Sequence, residues 1–120
     1  MITVYQKFIR LLEIEIESLH DEVELVLQSL DHRLAHHEIT DYVRNENAAI
    51  LRNELLGLED FLRSLGREQP DNLMLDEIVT EVRSYVQRRL IERDYVPALY
   101  ELVNRRIDRV VDYLRTPASL

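Results

Sequence analysis

A heptad seam fills the first quarter of the chain and limits its fold more than any other feature. Ile2, Tyr5, Ile9, Leu12, Ile16, Leu19, Val23, Val26 and Leu30 follow one another at alternating steps of three and four residues. Such spacing averages about 3.5 residues and keeps one apolar edge of a long helix turned toward a neighbouring helix. Val4, Phe8 and Leu11 widen this edge on one flank near the start, and Leu27 and Leu34 widen the other flank near the end. A helix whose stripe widens on both sides touches more than one neighbour, which favours a bundle over an isolated two-stranded coil.

The remaining sequence reads as further helices. Thr3 is a suitable N-cap for a first helix ending near His36, roughly 50 Å long at the α-helical rise. Thr40 caps a second helix that should end before Gly66, and Ala48, Leu51, Leu55, Leu58, Leu62 and Leu65 carry its apolar rhythm. Its first turns, Arg44-Asn45-Glu46-Asn47, are polar and read as a solvated start; the sharper alternative is a buried Asn47 that fixes register or oligomeric state. Gly66 to Pro70 reads as a linker. A third helix should start near Asp71 or Asn72 and present Leu75, Val79, Val82, Val86 and Leu90 on one face. Asp94-Tyr95-Val96-Pro97 interrupts the pattern, since proline inside a helix removes a hydrogen bond. With Asp94 as N-cap, a fourth helix runs from about Tyr95 to Leu114 on a core face of Leu99, Val103, Ile107, Val110 and Leu114; the alternative is one long helix kinked at Pro97.

Composition supports this reading. Two glycines and three prolines in 120 residues leave little material for turns or a glycine-rich loop. The absence of cysteine excludes disulfides, thiolate metal sites and cysteine nucleophiles, and fits a reducing, cytoplasmic setting. No signal peptide and no apolar run approaching the roughly 20 residues of a bilayer span is expected. The net charge of −8 is concentrated in residues 1–60, while residues 61–120 are near neutral and hold most of the arginines. Halves so different attract each other, and an acidic total argues against a nucleic-acid binder.

Several side-chain groups merit weighing as chemistry. His32 and His36 are four apart and share a helix face, and His37 follows; these three are the candidate metal ligands. The competing reading is a solvated helix C-terminus where histidines complement the negative end of the dipole. Glu17 and His20 have the Glu-x-x-His spacing of di-iron bundles, but such sites need a second pair and two more inward carboxylates. Histidine phosphotransfer bundles carry a lysine and a small residue after the reactive histidine, whereas His20 is followed by Asp21 and Glu22. Arg88, Arg89 and Arg93, with Arg105, Arg106 and Arg109, form a basic set whose expected role is pairing with the first helix or an acidic partner; an RNA surface is the less favoured use.

The sequence therefore predicts an all-α antiparallel bundle of four helices, or three if the last two merge. It forms one domain over residues 1–115 with a disordered tail at 116–120. The first helix is too long for partners of roughly 30 Å, so part of the seam Ile2–Leu30 should remain for a second copy, giving a homodimer. No catalytic residue or cofactor is implied. The expected function is protein–protein interaction or scaffolding, with a metal-binding bundle and a regulatory subunit for an acidic protein or RNA as alternatives.

Overall fold

A computed structural model describes residues 2–67 and 73–116 as four helices: α1 (Val4–Ala35), α2 (Asp41–Ser64), α3 (Leu75–Glu92) and α4 (Ala98–Arg115). Among the described residues there is no strand, and no helix is long and apolar enough to cross a membrane. The expected antiparallel bundle of four helices is what the chain forms.

Local chemistry sets each helix boundary. Thr3 closes a capping box: its hydroxyl accepts the Gln6 N–H at 3.0 Å, and the Gln6 side-chain oxygen accepts the Thr3 N–H at 3.1 Å. At the other end of α1, His37 adopts the left-handed conformation (φ 58°). Its N–H donates to the Leu34 carbonyl and the Glu38 N–H donates to the Arg33 carbonyl, the paired bonds of a Schellman stop. Thr40 caps α2 by accepting the Val43 N–H, and Gly66 follows the helix at φ 80°, as its sequence position implies.

Helices α3 and α4 are separate, but the turn between them differs from the sequence expectation. Asp94 is not the N-cap of α4. It is the left-handed residue ending α3 (φ 56°), with its N–H directed to the Ile91 carbonyl and the Tyr95 N–H to the Leu90 carbonyl. Aspartate tolerates this conformation better than most residues because its short polar side chain bonds locally. Pro97 then stands at the N-cap, so α4 begins at Ala98. Helix α3 begins at Leu75 behind Met74, later than Asp71 or Asn72, which lie outside the described residues. Of the expected tail only Thr116 is described; its N–H and hydroxyl both donate to the Asp112 carbonyl.

Ion pairs define the packing register. Arg44 meets Asp31 and His20 meets Glu59, so α1 and α2 run antiparallel. Arg83 meets Asp108 while Arg115 meets Asp76, so α3 and α4 do the same. Arg106 reaches Glu15 and Glu22 on α1, which lays α4 along the first two thirds of that helix. The core gathers there: Phe8, Leu12 and Ile16 of α1, Leu58 and Phe61 of α2, Ile78 and Val86 of α3, and Leu99, Val103 and Ile107 of α4 are all buried.

Of the seam, Ile9, Leu12, Ile16, Leu19, Val23 and Leu30 are buried within the chain, Tyr5 is half-buried, and Ile2 and Val26 are exposed. Most of the seam thus faces the chain's own helices. Helix α1 measures about 48 Å against about 27 Å for α3 and α4. Its last third lies against the start of α2, where Arg44 bonds Asp31; Leu30 and Ala48 are buried there, apart from the main cluster. The Cα radius of gyration, 16.8 Å, exceeds the roughly 14 Å of a compact chain of this length.

Gly57, in the middle of α2, lets the α3–α4 turn approach. A Cβ there would overlap the Leu99 side chain, which is fully buried and cannot retreat, and would press on the Tyr95 ring. Gly57→Ala should lower stability by about 1–3 kcal/mol in chemical denaturation, despite the better helix propensity of alanine. Ile16→Ala, at a fully buried position, should cost about 2–5 kcal/mol by the same measurement.

Candidate functional site

The most concentrated polar chemistry lies where the α3–α4 turn meets α2. Asp60 is almost fully buried, and its carboxylate accepts two bonds from Arg89, from Nε at 2.9 Å and Nη2 at 2.8 Å. The Tyr95 hydroxyl donates a third at 2.8 Å. Two turns earlier on the same face, the Asn53 side-chain oxygen accepts the Val96 N–H at 2.7 Å. The fork of Arg89 matches a carboxylate in plane, so the contact fixes orientation as well as charge. The ring of Tyr95 meets Phe61 edge-on at 6.3 Å between centroids.

These bonds move the titrations in opposite directions. The Arg89 hydrogen bonds, aided by the Tyr95 hydroxyl, hold the Asp60 carboxyl below its ordinary value against the opposing effect of burial. Burial first, and then its bond to Asp60, raise the Tyr95 phenol. The bond to Asp60 likewise raises Arg89. A carboxylate fixed in its charged form and saturated by donors is neither a proton shuttle nor a free ligand; its chemistry is that of a clamp.

His32 and His36 lie side by side, but with His37 they form no group of three converging ligand atoms among the described residues. His32 and His36 stack at 4.1 Å between ring centroids, but His36 Nδ1 is engaged with the His32 carbonyl at 2.9 Å. His37 forms the helix stop, and all three side chains are exposed. Among the described residues, the group whose ligand atoms do converge, within 4.8 Å of one another, is His20, Asp21 and Glu24. His20 is partly buried, with Nδ1 at 2.8 Å from Glu24 and Nε2 at 3.4 Å from Glu59; Glu17 is exposed and takes no part.

Two of the arginines pair with α1 as expected, and a third pairs with α2 instead. Arg106 and Arg109 bind Glu15 on α1, Arg106 also binds Glu22, and Arg89 is held by Asp60. Arg88, Arg93 and Arg105 face solvent. Asn47 is exposed and donates to the Val43 carbonyl, in keeping with a solvated helix start.

Two open grooves flank the bundle. One of about 640 Å3 lies between the end of α2 and α3, with Tyr5, Leu65, Val82 and Tyr85 on its walls and Arg88 at its edge. The other, of about 510 Å3, lies in the projecting part of α1 and α2, among Val26, Leu30, Val43, Ile50 and Glu54. Glu54 is buried, and desolvation raises its carboxyl above the ordinary value. Sequence reading passed over both Asp60 and Glu54, because acids within a polar-apolar helical pattern look alike until the facing helix is placed. Compared with known proteins, the chain matches no family model, and no curated protein or solved structure is similar to it.

Asp60→Asn leaves Arg89 without its anion. It should cost about 3 kcal/mol, the low end for breaking a buried pair because Arg89 still reaches water. Because the folded-state value of Asp60 lies below its unfolded one, its contribution is complete above about pH 4 and is lost as pH falls through the folded value. Denaturation across this range should show wild-type stability falling with acid and a shallower fall in Asp60→Asn.

Proposed function

We propose that the protein works without catalysis, as a small interaction or scaffolding protein whose active form is a homodimer. The observation that carries this reading is the projecting end of α1 and α2, where Leu25, Val26, Val43 and Ile50 leave large apolar surfaces in water. Scattered exposed apolar side chains are ordinary, whereas a cluster beside an apolar groove marks a contact surface. The polar network that looks most like a site, around Asp60, is closed and fully engaged within the fold, which turns attention to surfaces instead of a reaction centre.

Native mass spectrometry on protein made without a histidine tag tests the proposal. The expected result is a dimer mass without adducts, giving way to monomer on dilution. A mass carrying a stoichiometric metal ion would favour the second reading, a metal-binding bundle. The convergence of His20, Asp21 and Glu24 supports that reading better than the exposed His32, His36 and His37 do, and His20→Ala should then abolish the adduct.

A further inference from the structure

Glu54 is the unsettled group in this molecule. It is 6 % exposed, lines the groove of the projecting hairpin, and has no hydrogen-bond or ion-pair partner among the described residues. Its carboxylate oxygens keep contact with water at the groove, but burial of the side chain disfavours the charged form and raises its pKa. Asp60, less than two turns further along α2, has the opposite surroundings, with Arg89 and Tyr95 delivered by the rest of the fold. Nothing from α3 or α4 reaches the groove in which Glu54 lies.

The same groove carries a cation at its far end. Arg33 lies on α1 close to the α1–α2 turn, half-exposed; its contact is a 3.4 Å bond from Nε to Glu38, itself exposed. Its two terminal nitrogens have no partner among the described residues. The Arg44–Asp31 pair places Arg33 at the level of Val43. From there to Glu54 is eleven residues of α2, about 16 Å at the helical rise. Asn47 and Ile50 stand near the midpoint. The groove therefore reads anion, apolar floor, cation, and this arrangement is complementary to itself when turned end for end.

We propose that the groove is covered by a second copy of the same groove. The two hairpin ends pack antiparallel about a two-fold axis near Asn47, and Arg33 of each chain meets Glu54 of the other. This rests on the homodimer reading and assigns it a surface. Both pairs form at once because a two-fold contact is isologous, and four helix ends then surround Val26, Val43 and Ile50. A basic helix from an unrelated protein would answer Glu54 but would set like charge on Arg33, so charge complementarity favours the second copy.

The chain has no cysteine, so a single introduced one reports geometry directly. Asn47→Cys, at an exposed position beside the axis, should form a covalent dimer readily under diamide. Tyr113→Cys, exposed on α4, should not. In sedimentation equilibrium, Arg33→Glu should weaken the dimer by at least about tenfold, since it sets two carboxylates face to face. Because Arg33 is half-exposed, the variant should keep the helical circular dichroism of the wild type. Glu54→Gln should also weaken the dimer, without lowering the melting temperature of the monomer. If the wild type dimerises while Arg33→Glu leaves its Kd unchanged and Asn47→Cys cross-links no faster than Tyr113→Cys, this groove is not the interface, though the homodimer reading survives. A wild type monomeric at every concentration overturns both. A monomer whose groove instead binds a lysine-rich amphipathic peptide, in a manner lost in Glu54→Gln, also overturns the self-association proposed here.

Discussion

The clamp on Asp60 decides where the second half of the chain sits on the first. Three donated bonds converge on one buried carboxylate, two from α3 and one from the turn that follows it. Gly57, one turn earlier, allows Leu99 to come down onto α2. Together they pin the α3–α4 turn at the middle of α2, and everything else follows from helix lengths. From that point α3 and α4 extend back toward the start of α1, covering Phe8, Leu12 and Ile16. They leave the other end of the α1–α2 hairpin without further cover.

Charge serves orientation in the same way. The acidic first half and the arginine-rich second half are drawn together, and Arg106 expresses this by reaching Glu15 and Glu22 from a nearly buried position. The exposed pair of Arg109 with Glu15 adds little stability, about 0–1 kcal/mol, but together with Arg106 it opposes a slide of α4 by one turn along α1. The buried apolar side chains supply the larger share of the free energy, and the ionic contacts select one register among those that apolar packing alone would tolerate.

Much of this was legible in the sequence wherever a local rule governs. Thr3, Thr40 and Gly66 announce helix ends through chemistry that acts within four residues, and the structure uses them so. Asp94 shows the limit of such rules: an aspartate before a proline suits an N-cap, but it also tolerates the left-handed turn that ends the preceding helix, and here the latter holds. Gly57 and Asp60 give no local signal, because their roles depend on residues 29 or more positions away. The seam was read correctly as an apolar edge, but periodicity cannot tell whether the helix facing it belongs to the same chain. Most of it faces α2, α3 and α4, and the surplus lies at Ile2 and Val26.

Asp60 and Glu54 together make the strongest case for where this fold is complete and where it is not. They occupy one helix, both buried, six residues apart. For Asp60 the chain supplies an arginine fork and a phenol, and its acidity is strengthened; for Glu54 it supplies apolar walls, and its acidity is weakened. A buried acid is stabilised when its partner arrives with the fold; Glu54 relies instead on the water that its groove admits. The difference tracks the faces of α2: the turn after α3 bonds Asp60 and Asn53, whereas Glu54 lies on the groove side, lined by α1, α2 and the turn between them. Within the groove the nearest thing to an answer for Glu54 is Arg33 at the opposite end, a separation that one chain does not close and that the proposed two-fold contact would close.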